Sequence, residues 1–159
     1  VDVLKRRKFD PKALAVAYYF GDLSYSELPN VCVEALENGF DGRALRRLAG
    51  LVNSVARDMK AHEIDLAFCE LGVNAPIPKD EARLFLAAEA ARKAVVGESN
   101  VFDAATHIRI HICGWKNLPP ELRQIVDLSE QSEHAPRLRW KPLEKQLHAA
   151  MVEFLRARE

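Results

Sequence analysis

The stretch from Asp10 to Gly21 reads DPKALAVAYYFG, and its two ends decide how the rest of the chain is read. Aspartate is a favoured helix N-cap because its carboxylate accepts from amides that the first turn leaves unpaired. Proline in the next position has no amide to lose, and its φ is already helical. Glycine at the far end can enter the left-handed region that closes a helix. The spacing predicts a helix from Pro11 to Phe20.

The same punctuation recurs along the chain. Ser26 can cap a second helix through CVEALEN, with Pro29 in its first turn and Gly39 as terminator. Asp41 precedes a third, RALRRLAG, closed by Gly50, and Asn53 caps a long fourth that Gly72 stops after Leu71. After the loop NAPIP a fifth helix runs from Lys79 to Val96 and ends at Gly97; Asn100 caps a sixth that ends at Gly114. Pro119 and Pro120 open a seventh around ELRQIVDL, and Pro142 opens an eighth. Period-two alternation between turn residues, the mark of strands, is nearly missing. The expectation is an all-α fold of about eight helices in one compact bundle. It is a single helical domain over 1–159, with a basic tail at 1–9 and one long irregular loop at 129–141.

At 159 residues the chain is long enough to bury a real core. Its 23 Lys and Arg balance 23 Asp and Glu, so the whole-molecule field gives no default attraction to nucleic acid or to an anionic membrane. The local exception is the first dozen residues, where Lys5, Arg6, Arg7, Lys8 and Lys12 face only Asp2 and Asp10. No apolar run approaches the roughly 20 residues that cross a bilayer, and the start of the chain lacks the order of a signal peptide. Together these favour a cytoplasmic protein. Cys32, Cys69 and Cys113 lack CxxC spacing and sit in apolar helical patterns, which reads as reduced thiols used as small core residues.

The halves of the chain run in parallel. Gly21 corresponds to Gly97 at an offset of 76, Gly39 to Gly114 at 75, and LRRLAGL from Leu45 to LRQIVDL from Leu122 at 77. Two four-helix units, about 13–71 and 79–157, are therefore expected as an internal repeat.

The sharpest chemical pattern is DAATHIRIHICGW, Asp103 to Trp115. His107 and His111 are one helical turn apart and Asp103 extends the line, a geometry that permits metal chelation. The companion signals are missing: no glutamate follows His107 to activate water, and no Glu-x-x-His pair occurs in the chain. At about 100° per residue, Val101, Ala105, Ile108 and Ile112 form the buried stripe. Asp103 and His107 then face solvent and His111 lies at the border. No cofactor is expected.

A second pattern is PRLRWKP, Pro136 to Pro142. Arg137, Arg139 and Lys141 surround Leu138 and Trp140, and extended geometry before Pro142 would put cations on one side and apolar groups on the other. Such a strip can take an acidic peptide or single-stranded nucleic acid. The simpler expectation is that Leu138 and Trp140 plug the core while the cations stay in water. DGRALRRLAGL invites a helix-turn-helix comparison, yet Leu45, Leu48 and Leu51 have core spacing and Arg46 and Arg47 need only be its wet side. Tyr18, Tyr19 and Phe20 read as core and interface aromatics.

The run GDLSYSELPNVCVEALENGFDGRALRRLAGL, then CELGVNAPIPKDEA, ARKAVVGESNVFDAATHI and LPPELRQIVDL, resembles a group of small, uncharacterised bacterial all-helical proteins with no known activity. The similarity spans residues 13–128; its most specific parts are GFDGRALRRLAGL, with Gly39 and Asp41, and ELGVNAPIPKDEA, with Gly72 and Pro76. That group carries a proline and a glycine soon after the position of Gly97, where this chain has Val101, Phe102 and Asp103. The resemblance implies a bacterial, cytoplasmic helical domain and transfers no functional residue.

The functional expectation is a non-enzymatic protein-interaction or adaptor domain with another protein as partner, contacting it through Arg137, Arg139, Trp140 and Lys141. The alternative is a small-molecule or metal-dependent enzyme centred on Asp103, His107 and His111. Weak nucleic-acid binding through the basic loop residues is the third reading.

Overall fold

The structure, a computed structural model, describes residues 8–52, 59–114 and 118–159. Eight α-helices and no strand are found among the described residues: α1 Pro11–Phe20, α2 Leu28–Glu37, α3 Arg43–Ala49, α4 Ala61–Glu70, α5 Lys79–Val95, α6 Val101–His107, α7 Arg123–His134 and α8 Trp140–Arg156. The fold is all-α. The chain divides into two compact units, Val1–Lys79 and Asp80–Glu159, with the boundary at the start of α5.

In the first unit, α1 has the ends its sequence dictates. Asp10 accepts from the Ala13 amide at 3.1 Å, and Gly21 closes the helix at φ 105° with its amide on the carbonyls of Ala17 and Tyr18. Buried residues Ala15 and Val16 of α1, Leu28, Val31, Cys32 and Ala35 of α2, Leu45 and Leu48 of α3, and Ile64 and Phe68 of α4 form its apolar interior. Tyr18 and Tyr19 pack their rings on Phe68, each at 5.7 Å between centroids. The Tyr19 hydroxyl donates to Asp65. Burial pushes the Tyr18 hydroxyl up to about 12.

The starts of α2 and α4 differ from expectation, and that of α3 is built differently from its neighbours. A 3₁₀ turn, Tyr25–Glu27, precedes α2, and Ser24 rather than Ser26 opens it. The Glu27 carboxylate accepts from the Ser24 amide at 2.8 Å and from the Ser24 hydroxyl at 2.9 Å, a reach-back that only Ser24 is placed to use. Asp41 does not cap α3. Its carboxylate is taken by both guanidinium arms of Arg46, at 2.7 and 2.5 Å, and Gly42 occupies the cap position. α4 begins at Ala61 after an extended Lys60; the proposed Asn53 cap lies outside the described residues.

The second unit is built on the pooled apolar faces of α5 to α8. α5 contributes alanines, Ala87, Ala88, Ala91 and Ala94. α8 contributes Leu143, Leu147, Ala150, Met151 and Phe154, a stripe at helical spacing. Asn100 caps α6 as expected, accepting from the Phe102 and Asp103 amides at 2.8 and 3.3 Å.

Beyond His107 the sixth helix widens into a π-helical segment, Ile108–Cys113, before Gly114. The reason lies in what must be buried. On an α-helical wheel Cys113 would sit about 140° from Ile108. The wider i→i+5 turn carries it round, so that Ile108, Ile112 and Cys113 are all buried. Arg109 leaves this segment towards α7: its Nε donates to the fully buried Ser129 hydroxyl at 3.1 Å, and its terminal nitrogen pairs with Glu133.

The long irregular loop expected at 129–141 is not there. Ser129 to His134 continue α7, because nothing in SEQSEH breaks a helix. Ala135 is the first residue forced out, to φ −79° and ψ 136°, by the proline that follows it. A 3₁₀ turn, Arg137–Arg139, leads directly into α8, which begins at Trp140 with Pro142 tolerated in its first turn. Of the basic tail expected at 1–9, residues 1–7 lie outside the described set, and Lys8 is exposed.

Candidate functional site

The elbow between α7 and α8 collects the unusual surface of the second unit. Pro136 fixes its geometry: the Arg139 amide donates to the Pro136 carbonyl at 2.9 Å, which closes the 3₁₀ turn. In a turn of three residues, Arg137, Leu138 and Arg139 fan out in three directions. The extended alternation expected for this segment is thereby replaced, and so is the idea that Leu138 plugs the core. Leu138 is 94% exposed.

Trp140 is half in and half out, at 47% exposure. One side of its ring lies near Phe102 at 6.1 Å between centroids, and its indole N–H donates to the Ala135 carbonyl at 3.2 Å. The residue is thus pinned while part of its surface stays open. Arg137, Arg139 and Lys141 are all exposed, and none of them is in an ion pair among the described residues. The positive end of the α8 dipole adds to their field.

Two grooves flank the elbow and meet at Pro142. One, about 500 Å³, runs past His134, Pro136, Arg139, Leu143 and Gln146. The other, about 830 Å³, runs past Val101, Lys141, Glu144, Lys145 and His148. Sequence reasoning singled out Arg137 to Lys141 but missed Lys145 and His148. Their signal was available, since residues four and seven positions after Lys141 share its helical face.

The histidine helix is different in kind. Asp103, His107 and His111 are all exposed, and the two imidazoles lie 5.3 Å apart between centroids. No group of three histidine, cysteine, aspartate or glutamate side chains placed to hold a metal ion occurs among the described residues. The expected buried stripe of Val101, Ala105, Ile108 and Ile112 is buried, with Asp103 and His107 turned away from it.

Two of the three arginines of α3 are paired within the unit, Arg46 with Asp41 and Arg47 with Glu63 at 2.8 Å, while Arg43 is exposed. The thiols separate into two kinds. Cys32 and Cys113 are buried, as expected, whereas Cys69 is exposed on α4. Burial, with Glu70 nearby, pushes the Cys32 thiol up to about 11; burial also raises Cys113, against the opposing charge of Arg83. Iodoacetamide at neutral pH should therefore alkylate Cys69 in the folded protein and reach the other two only through unfolding. Mass spectrometry of a time course checks this; early labelling of Cys32 would mean that α2 is not packed as described.

No family model, curated protein or solved structure matches the chain. The functional reading therefore rests on the site itself. No helix among the described residues is long and apolar enough to cross a membrane.

Proposed function

We propose that this chain is a non-enzymatic, cytoplasmic protein-interaction domain of the bacterial helical kind it resembles, and that the α7–α8 elbow is its contact surface. The observation that carries the reading is Leu138. A leucine held 94% exposed by a hydrogen-bonded turn stands beside a half-open tryptophan and between two arginines, and tryptophan and arginine are the residues that most often anchor interfaces. A single exposed leucine is ordinary, but its conjunction with Trp140 and two adjoining grooves is not. The reading of the halves as a duplicated unit rests on the 75–77 offsets and on four helices in each half.

Site-specific photo-crosslinking in cells tests the proposal. A photoreactive residue in place of Leu138 should give discrete protein adducts, and the same residue in place of Leu66, 44% exposed on α4, should not. Arg139→Glu should abolish the adducts at 138. Equal crosslinking from both positions, or adducts indifferent to Arg139→Glu, would overturn it.

A further inference from the structure

The elbow also indicates what kind of segment it takes. Between 137 and 145 the chain carries Arg137, Arg139, Lys141 and Lys145 against one carboxylate, Glu144. The molecule as a whole is neutral, so this excess is local. The cations do not form a separate patch. They alternate in space with apolar surface: Leu138 and Trp140 on the elbow, Pro142 between the two grooves, and Leu143 along one of them.

A partner must therefore satisfy charge and apolar contact within the same few residues. Nucleic acid fits this poorly. Its bases need flat faces to stack on in succession, and the turn itself offers one indole, already packed near Phe102, next to an aliphatic side chain, with the imidazoles of His134 and His148 apart in different grooves. A folded acidic surface fits poorly too, because its carboxylates stand out while its apolar residues are withdrawn. An extended or helical peptide carrying both meets the pattern.

Resting on the protein-interaction reading above, we propose that the partner of the elbow is a short acidic segment with interspersed large apolar residues. Its carboxylates pair with Arg137, Arg139, Lys141 and Lys145. One apolar side chain enters the groove lined by Pro136, Pro142 and Leu143, and another lies against the exposed Leu138 and the open part of Trp140. Charge complementarity sets the encounter and the apolar anchor sets the residence time.

The test uses the full chain and a blocked twelve-residue peptide in which glutamates alternate with leucine and phenylalanine. Binding is followed by fluorescence anisotropy of the labelled peptide. We expect saturable binding that weakens at least tenfold with Arg139→Glu/Lys141→Glu and at least tenfold with Leu138→Asp, and that falls as salt rises. The charge-reversed pair lies at the N-terminus of α8, where glutamates are favourable, so this variant keeps its fold and circular dichroism verifies that it does.

Equal binding of a lysine-for-glutamate version would overturn the acidic partner while leaving the elbow as a contact surface. No peptide binding, with crosslinking at 138 intact, would overturn the peptide class alone. Tighter binding of a single-stranded RNA twelve-mer through the same residues would overturn it in favour of nucleic acid. Loss of crosslinking at 138 together with peptide binding unaffected by the elbow variants would remove both proposals.

Discussion

Glu70→Ala and Gly42→Ala each lower stability by about 2 kcal/mol, and the double variant also loses about 2 kcal/mol rather than about 4. The result follows from a single contact made from two sides. The first amides of α3 are not satisfied by a residue beside them. They are satisfied by Glu70, from the end of α4: Ala44 and Leu45 donate to its two carboxylate oxygens, each at 2.9 Å. A carboxylate on the positive end of a helix gains from the dipole as well as from the hydrogen bonds.

The approach is possible because residue 42 has no side chain. A Cβ built on Gly42 would lie 2.2 Å from the Glu70 carboxyl carbon and from one of its oxygens. The backbone there is extended, at φ 172°, so alanine adopts it without strain. What alanine cannot do is share the space. Glu70 must swing away, and both amides of α3 lose their acceptor. Once the carboxylate has gone, the methyl group costs little more. Urea unfolding of the wild type, both single variants and the double variant measures the coupling. Additive losses would show that Gly42 and Glu70 act separately and that the capping role assigned to Glu70 is wrong.

That contact also marks where sequence reasoning reached its limit. Asp10 and Asn100 were legible as caps because each bonds amides two or three residues away. Ser24 was legible too, since Ser24-x-x-Glu27 is a capping box, although Ser26 lies nearer the helix. Glu70 was not legible. Its partners lie 25 and 26 residues earlier, and nothing local distinguishes a glutamate that caps another helix from one in solvent. The carboxylate ties together two stretches distant in the chain, GFDGRALRRLAGL and ELGVNAPIPKDEA.

The elbow was half legible for a related reason. Apolar periodicity in α7 ends at Leu128, so the polar run after it read as a loop, although serine, glutamate and glutamine extend a helix until a proline stops it. The residues of the elbow were therefore singled out in an extended conformation that the structure replaces with a 3₁₀ turn. The 3₁₀ turn that throws Leu138 outward depends on where α7 ends, which the polar run concealed. The π-helical turn at Ile108–Cys113 had no signal of its own, because it answers a demand made by the core, the burial of Cys113.

Two leucines nine residues apart separate stability from recognition, and truncating them should have opposite consequences. Leu147 is fully buried in the interior formed by α5 to α8. Leu147→Ala removes buried methyl groups and leaves a cavity in the interior of this unit, so a loss of about 3 kcal/mol is expected. Leu138→Ala removes a side chain that touches almost only water, and stability should stay within about 0.5 kcal/mol of wild type. The binding results should run the other way. Leu147→Ala, measured where it is still folded, should hold the peptide as the wild type does; Leu138→Ala should weaken it severalfold. Denaturant titration and peptide anisotropy on the same two proteins read both columns of the comparison. A large stability loss from Leu138→Ala would mean that its side chain is packed in solution, and the elbow would then be a piece of the core and not the contact surface proposed for it.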